Sequence, residues 1–123
     1  MQEFVLYIRK QIIDTLTKQQ QLEYLKSHEL YMTELKNEGK LISTQPIEPQ
    51  GTIVSRRDGN WKAVPYSESI ESIGGHYHIL AKDLAEAITI AKRNPDFDFS
   101  QGTRIEIRPL RVEDPDAGQR RRR

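Results

Sequence analysis

Ile73-Gly-Gly-His-Tyr-His-Ile-Leu-Ala81 runs directly into Lys82-Asp83-Leu-Ala-Glu86-Ala-Ile-Thr-Ile-Ala91, and past Pro95 the chain resumes as Arg104-Ile-Glu-Ile-Arg108. The first run is apolar and aromatic and predicts a strand over Ile73 to Ala81, with Gly74-Gly75 at its start marking a bulge or a close backbone approach. Asp83, with Glu86 three positions on, is a helix-opening signal, and Leu84, Ala87, Ile88 and Ala91 form the apolar stripe behind it. Pro95 closes that helix just after Asn94. Arg104 to Arg108 alternates strictly, which predicts a strand with one apolar and one polar face. The unit is β-α-β.

Upstream, the same order occurs once more. Glu3-Phe-Val-Leu-Tyr-Ile-Arg9 is a strand signal apolar enough for burial on both faces, and residues 10–16 form a connection. Thr17 followed by Gln20 matches a capping box, so a helix starts there. Tyr24, Leu25, His28, Tyr31, Met32 and Leu35 make its stripe, and Gly39 stands where a left-handed C-terminal cap belongs. Leu41 to Ile47 reads as a strand ending near Pro46. Gly51 to Ser55 and Asn60 to Val64 flank Asp58-Gly59, a tight-hairpin signal. The order strand, helix, strand, hairpin, strand, helix, strand is α+β. It is a ferredoxin-like split βαβ with an inserted β-hairpin, in which both helices cover one face of an antiparallel sheet. The other face stays open, to be closed by a partner subunit or filled by a ligand.

The chain has 123 residues, of which 36% are hydrophobic, with 19 Lys plus Arg, 18 Asp plus Glu and no Cys. That is one domain with a lean core, a condition that favours a dimer. Without Cys there are no disulfides, thiolate zinc sites or cysteine nucleophiles. The longest apolar run, Phe4 to Ile8, is far too short to span a membrane, and Glu3 stands where a signal peptide carries positive charge, so a cytoplasmic protein is expected. Without the terminal Arg120 to Arg123, 15 basic face 18 acidic residues, and the body is mildly acidic. No basic cluster tracks phosphates before the tail and no RNP-like aromatic run exists, so nucleic acid is not an expected partner. The domain is expected over 1–112, and 113–123, lacking apolar residues, as a disordered Arg-ended tail.

Strand parity then sorts the candidate site residues. With Ile105 and Ile107 facing the helices, Arg104, Glu106 and Arg108 point to the open side. With Tyr77 and Ile79 facing the helices, His76 and His78 join them. Imidazoles, a carboxylate and guanidinium groups on one surface furnish a pocket for a small anionic or oxygen-rich molecule, or else a polar dimer interface. Trp61 and Tyr66, around the hairpin's second arm, fit a lid or an aromatic wall. His76-x-His78 has the spacing for two metal ligands, but His28 lies on the helix side, so no metal site and no cofactor is expected. His28 in mid-stripe needs a hydrogen-bond partner: it is either a core histidine satisfied by a backbone carbonyl or, beside a carboxylate, a general base near neutral pH.

Tyr66-x-Glu68-x-x-Glu71-x-Ile73-Gly74-Gly75, Ile79-x-Ala81-x-Asp83-x-x-Glu86-Ala87, Ile90-Ala91-Lys92-x-x-Pro95 and Glu106-Ile107-Arg108-Pro109 resemble the YCII-related proteins of the DGPF-domain group. Glu3-Phe-Val-Leu, Gly39-Lys-Leu, Pro46 and Glu48 fit as well, so the resemblance covers about residues 1–110. The Asp-Gly-Pro-Phe segment of that group reads Ala63-Val64-Pro65-Tyr66 here. The resemblance implies a ferredoxin-like domain that pairs sheet to sheet as a homodimeric α/β barrel. It also implies a His–Asp site with the His on the first helix; His28 falls at that place, and Glu48 is the nearest carboxylate for the partner. Two readings follow. One is a small dimeric enzyme with His28 as proton carrier and a pocket on the open sheet face. The other is a non-catalytic ligand-binding or regulatory dimer using the same face through Arg104, Arg108, His76 and His78.

Overall fold

Thr17 begins the first helix by the reciprocal pairing its spacing predicts: Gln20 N donates to Thr17 Oγ1 at 3.1 Å and Thr17 N donates to Gln20 Oε1 at 2.9 Å. In the computed structural model, which describes residues 1–10, 16–48, 50–65 and 72–111, the elements are nine. They are β1 (Gln2–Lys10), α1 (Lys18–Asn37), β2 (Leu41–Pro46), β3 (Thr52–Arg57), β4 (Asn60–Pro65), β5 (Ser72–Ala81), α2 (Leu84–Lys92), α3 (Asp96–Phe99) and β6 (Arg104–Pro109). The tail 113–123 lies outside the described residues.

Four strands form one antiparallel sheet in the order β2-β5-β1-β6, and β3 and β4 form a separate two-stranded ribbon. This is the α+β ferredoxin-like fold with its inserted hairpin. Opposed residues share a face, so the register Phe4 to Ile79, Leu6 to Tyr77 and Leu6 to Ile107 places one continuous apolar surface against the helices. Phe4, Leu6, Ile8, Tyr77 and Ile79 from the sheet meet Tyr31 and Leu35 of α1 and Ala87, Ile90 and Ala91 of α2. The opposite register positions, Val5 with His78 and Arg108, and Tyr7 with His76 and Glu106, make the other face. Val5 and Tyr7 are half-buried, so β1 is fully buried on one face only. No described helix is long and apolar enough to cross a membrane.

Two glycine signals act as the sequence predicts. Gly39 closes α1 at φ +73°, and the β1–β5 register slips between Ile8 and Arg9, opposite Gly74. Asp58 and Gly59 both have positive φ, the geometry of the tight turn between β3 and β4.

The structure departs from the expected pattern in both helices: in α1 Leu25, expected in the apolar stripe, is 62% exposed, and among its described residues only Tyr31 and Leu35 are fully buried. In α2 the buried residues are Ala87, Ile90 and Ala91, whereas Leu84 and Ile88 are exposed. At 100° per residue Ile88 sits a quarter-turn and more from the face that Ala87 centres, and Leu84 is the first helical residue, at the end of the packed face. Beyond Pro95 the chain does not simply leave the helix: it forms α3, a single turn too short to show periodicity.

Candidate acid/base site

Each residue of the site is placed by a different element. Tyr77 is the helix-side residue of β5 next to Ile79, and His28 precedes Tyr31 and Leu35 by three and seven positions, so it projects from the same face of α1. Asp96 opens α3. Its amide donates to Asn94 Oδ1 at 2.7 Å, and its carbonyl accepts from Ser100 N at 3.0 Å and Thr103 Oγ1 at 3.3 Å, which braces the turn on both sides.

These three meet at the imidazole. His28 Nδ1 lies 3.0 Å from Tyr77 Oη, and Nε2 lies 2.9 Å from Asp96 Oδ1. The Asp96 side chain is 4% exposed, so its charge is held away from water and needs these donors. Tyr24 supplies another: its ring stands edge-on to His28 at 4.5 Å, and its hydroxyl hydrogen-bonds the Asp96 carboxylate. An ionised carboxylate only accepts, so Nε2 carries the proton facing Asp96. In neutral imidazole Nδ1 is then a lone pair, and Tyr77 O–H donates to it. Burial pushes the Tyr24 and Tyr77 phenols up, and the Asp96 charge adds to both; Tyr77 reaches about 12. Both stay protonated at neutral pH.

A cavity of about 250 Å³ opens beside this cluster, between α1 and the β2–β5 end of the sheet. Tyr24, His28, Tyr77, Asp96 and Thr44 supply its polar end, and Ile8, Leu25, Met32, Pro46 and the bare backbone of Gly74-Gly75 its remaining wall. Gly75 is the floor: a Cβ there would sit 3.1 Å from the Gln45 carbonyl oxygen.

The predicted site residues divide. His28 is at the cavity, and its partners are two side chains, not a backbone carbonyl. Its carboxylate is Asp96, whereas Glu48 is exposed beyond β2 and does not line the cavity. His76 borders the cavity, and its carbonyl accepts the Thr44 hydroxyl at 2.9 Å. The open face carries an ion-pair network. Glu106 accepts from Arg9 Nε at 2.7 Å and from Arg108 at 3.1 Å, and His78 Nε2 lies 2.8 Å from Glu3. The two guanidinium groups hold the Glu106 carboxyl below its usual range. Arg104 faces the same side, opposite Arg9 in the register. The cavity with His28 is therefore on the helix side and not among these residues. Trp61 stands 71% exposed on β4 with the Arg56 guanidinium 5.1 Å over its ring, away from the cavity, and Tyr66 lies outside the described residues. Among the described residues no group of three His, Cys, Asp or Glu is placed to hold a metal ion.

A ferredoxin-like sheet with a histidine–carboxylate pair on its helix side and an adjacent cavity defines a small α+β protein. The chain belongs to the YCII-related domain family, which matches it over residues 3–111. Comparison with curated proteins finds no match.

Proposed function

We propose that the protein is a small homodimeric YCII-type protein whose His28–Asp96 pair exchanges a proton with a small organic molecule held in the helix-side cavity. The observation that carries this reading is the imidazole bridging Tyr77 and a buried carboxylate at the cavity wall. A histidine needed only for packing has no use for a buried charge, whose desolvation costs several kcal/mol unless its partners compensate it. A carboxylate that fixes the imidazole's tautomer and steadies its charged form is the arrangement general acid/base work requires. Homodimer formation rests on the resemblance and on the half-buried open face.

The test is a pair of measurements on His28. Long-range imidazole ¹⁵N spectra should show the Nε2–H form, and a protonated Nδ1 with bare Nε2 would remove the Asp96 argument. His28→Gln should remain folded and lose the proton transfer. A folded His28→Gln that binds small molecules as before, with no turnover in either form, supports the ligand-binding dimer instead.

A further inference from the structure

Both nitrogens of His28 are occupied inside the protein, by Tyr77 Oη and Asp96 Oδ1. No ring nitrogen is left to touch a ligand. Tyr24, the other hydroxyl at the carboxylate, is committed to Asp96. Tyr77 differs: donating its proton to His28 leaves its oxygen with acceptor capacity. The neighbouring Thr44 hydroxyl donates to the His76 carbonyl at 2.9 Å and also lies within hydrogen-bond reach of the Tyr77 oxygen, which has two lone pairs and so keeps one for a ligand; both Tyr77 and Thr44 line the cavity.

The charge of the cavity adds a second constraint. Among the described residues that line it there is no Lys or Arg, and its one carboxylate is Asp96, so an anion entering while the His28 and His76 imidazoles are neutral meets repulsion without a counter-charge. Most of its wall is apolar. A void of about 150 Å³ is enough for benzene, so about 250 Å³ holds a molecule of roughly one substituted ring.

Resting on the acid/base reading above, we infer that Tyr77 is the residue that meets the ligand and takes its proton, and that the ligand is an uncharged, largely apolar molecule with one acidic hydroxyl. The ligand O–H breaks as its proton passes to Tyr77 Oη, while the Tyr77 proton passes to His28 Nδ1. The products are a ligand oxyanion and an imidazolium held through Nε2–H by Asp96. Tyr77 ends as it began, neutral, and no oxidant or reductant enters. His28 acts through Tyr77.

The probes are 4-nitrophenol, whose absorbance reports its ionisation, nitrobenzene, which lacks the hydroxyl, and benzoate, which carries the charge. With the full chain, 4-nitrophenol should bind at least tenfold tighter than benzoate and show an enhanced ionised band at a pH below its own midpoint. Tyr77→Phe should lose that band and about tenfold in 4-nitrophenol affinity while binding nitrobenzene as the wild type does. Should Tyr77→Phe fail to fold, ¹³Cζ-tyrosine spectra of the wild type answer instead: the Tyr77 resonance must move with 4-nitrophenol. Benzoate binding tighter than 4-nitrophenol overturns the ligand class, and an unmoved Tyr77 resonance overturns the contact. An ionised band that survives Tyr77→Phe but not His28→Gln overturns this inference and leaves the imidazole reading standing. The opposite pattern overturns the imidazole reading and leaves Tyr77 in place.

Discussion

Tyr77 keeps its proton because burial and the Asp96 charge both disfavour the phenolate, raising its ionisation from about 10 in the unfolded chain to about 12. The folded state therefore binds this proton more tightly than the unfolded state. The stability it contributes is complete below pH 10 and is lost as the pH rises towards 12. Tyr24 and Tyr31 are shifted in the same direction by the same cause, burial, so alkaline unfolding should be steep above pH 10. Absorbance of tyrosinate followed against circular dichroism checks this: ionisation of these rings should coincide with unfolding, and ionisation in a still-folded chain would contradict it. Asp96→Ala leaves the His28 Nε2–H and the Tyr24 hydroxyl without their acceptor, a loss of about 2–6 kcal/mol in urea unfolding at one to three per orphaned donor. A loss under about 1 kcal/mol would show that both donors find other acceptors. His28 is legible from the stripe of α1, and the parity of β5 puts Tyr77 on the same side. Asp96 is not, because it lies 68 residues from His28 in one turn of helix, where neither periodicity nor spacing marks a carboxylate for burial.

At the scale of elements, local signals that act through the backbone were the readable ones. Thr17→Ala removes a capping oxygen that Gln20 N uses, and should cost about 1 kcal/mol by thermal or urea unfolding. Gly75→Ala acts on tertiary fit, since its Cβ would press on the Gln45 carbonyl of the neighbouring strand from 3.1 Å. Strand β2 must then move by a few tenths of an ångström, and the methyl group takes up cavity floor. The expected result is a small loss of stability with a larger loss of ligand affinity, measured by unfolding and by titration of the same sample. Equal affinity in a folded Gly75→Ala would show that the ligand does not reach the floor. Gly74-Gly75 announces such an approach in the sequence, as Gly39 announces the end of α1. The face of α2 was harder to read: over nine residues Leu84, Ala87, Ile88, Ile90 and Ala91 offer overlapping stripes, and the position of the sheet decides between them.

For the whole molecule, exposed apolar residues occur on α1, β2 and α2 as well, but on the β3–β4 ribbon they stand where an isolated chain is least able to support them. Ribbon β3–β4 is exposed along its full length on both strands, with Ile53, Val54 and Trp61 among its open residues. A two-stranded ribbon alone is marginal in water, and three or more strands or a packed face are what make one stable. A partner subunit in the proposed dimer would supply that face if the ribbon lies in its interface, and would cover the half-buried Val5 and Tyr7 on the open side of the sheet. Trp61 is the single tryptophan of the chain and stands on this ribbon, so its fluorescence reads the association directly. At micromolar concentration sedimentation equilibrium should give a dimer, and dilution should shift Trp61 emission to the red as the monomer forms. A 14.3 kDa species alone, with fully solvated Trp61 emission at every concentration, would mean that the ribbon holds its shape unaided and that the open face belongs to solvent. Trp61→Ser should weaken association without changing the His28 cavity, because the ring lies outside its lining. Loss of cavity binding in a monomeric Trp61→Ser would instead tie the site to the second subunit.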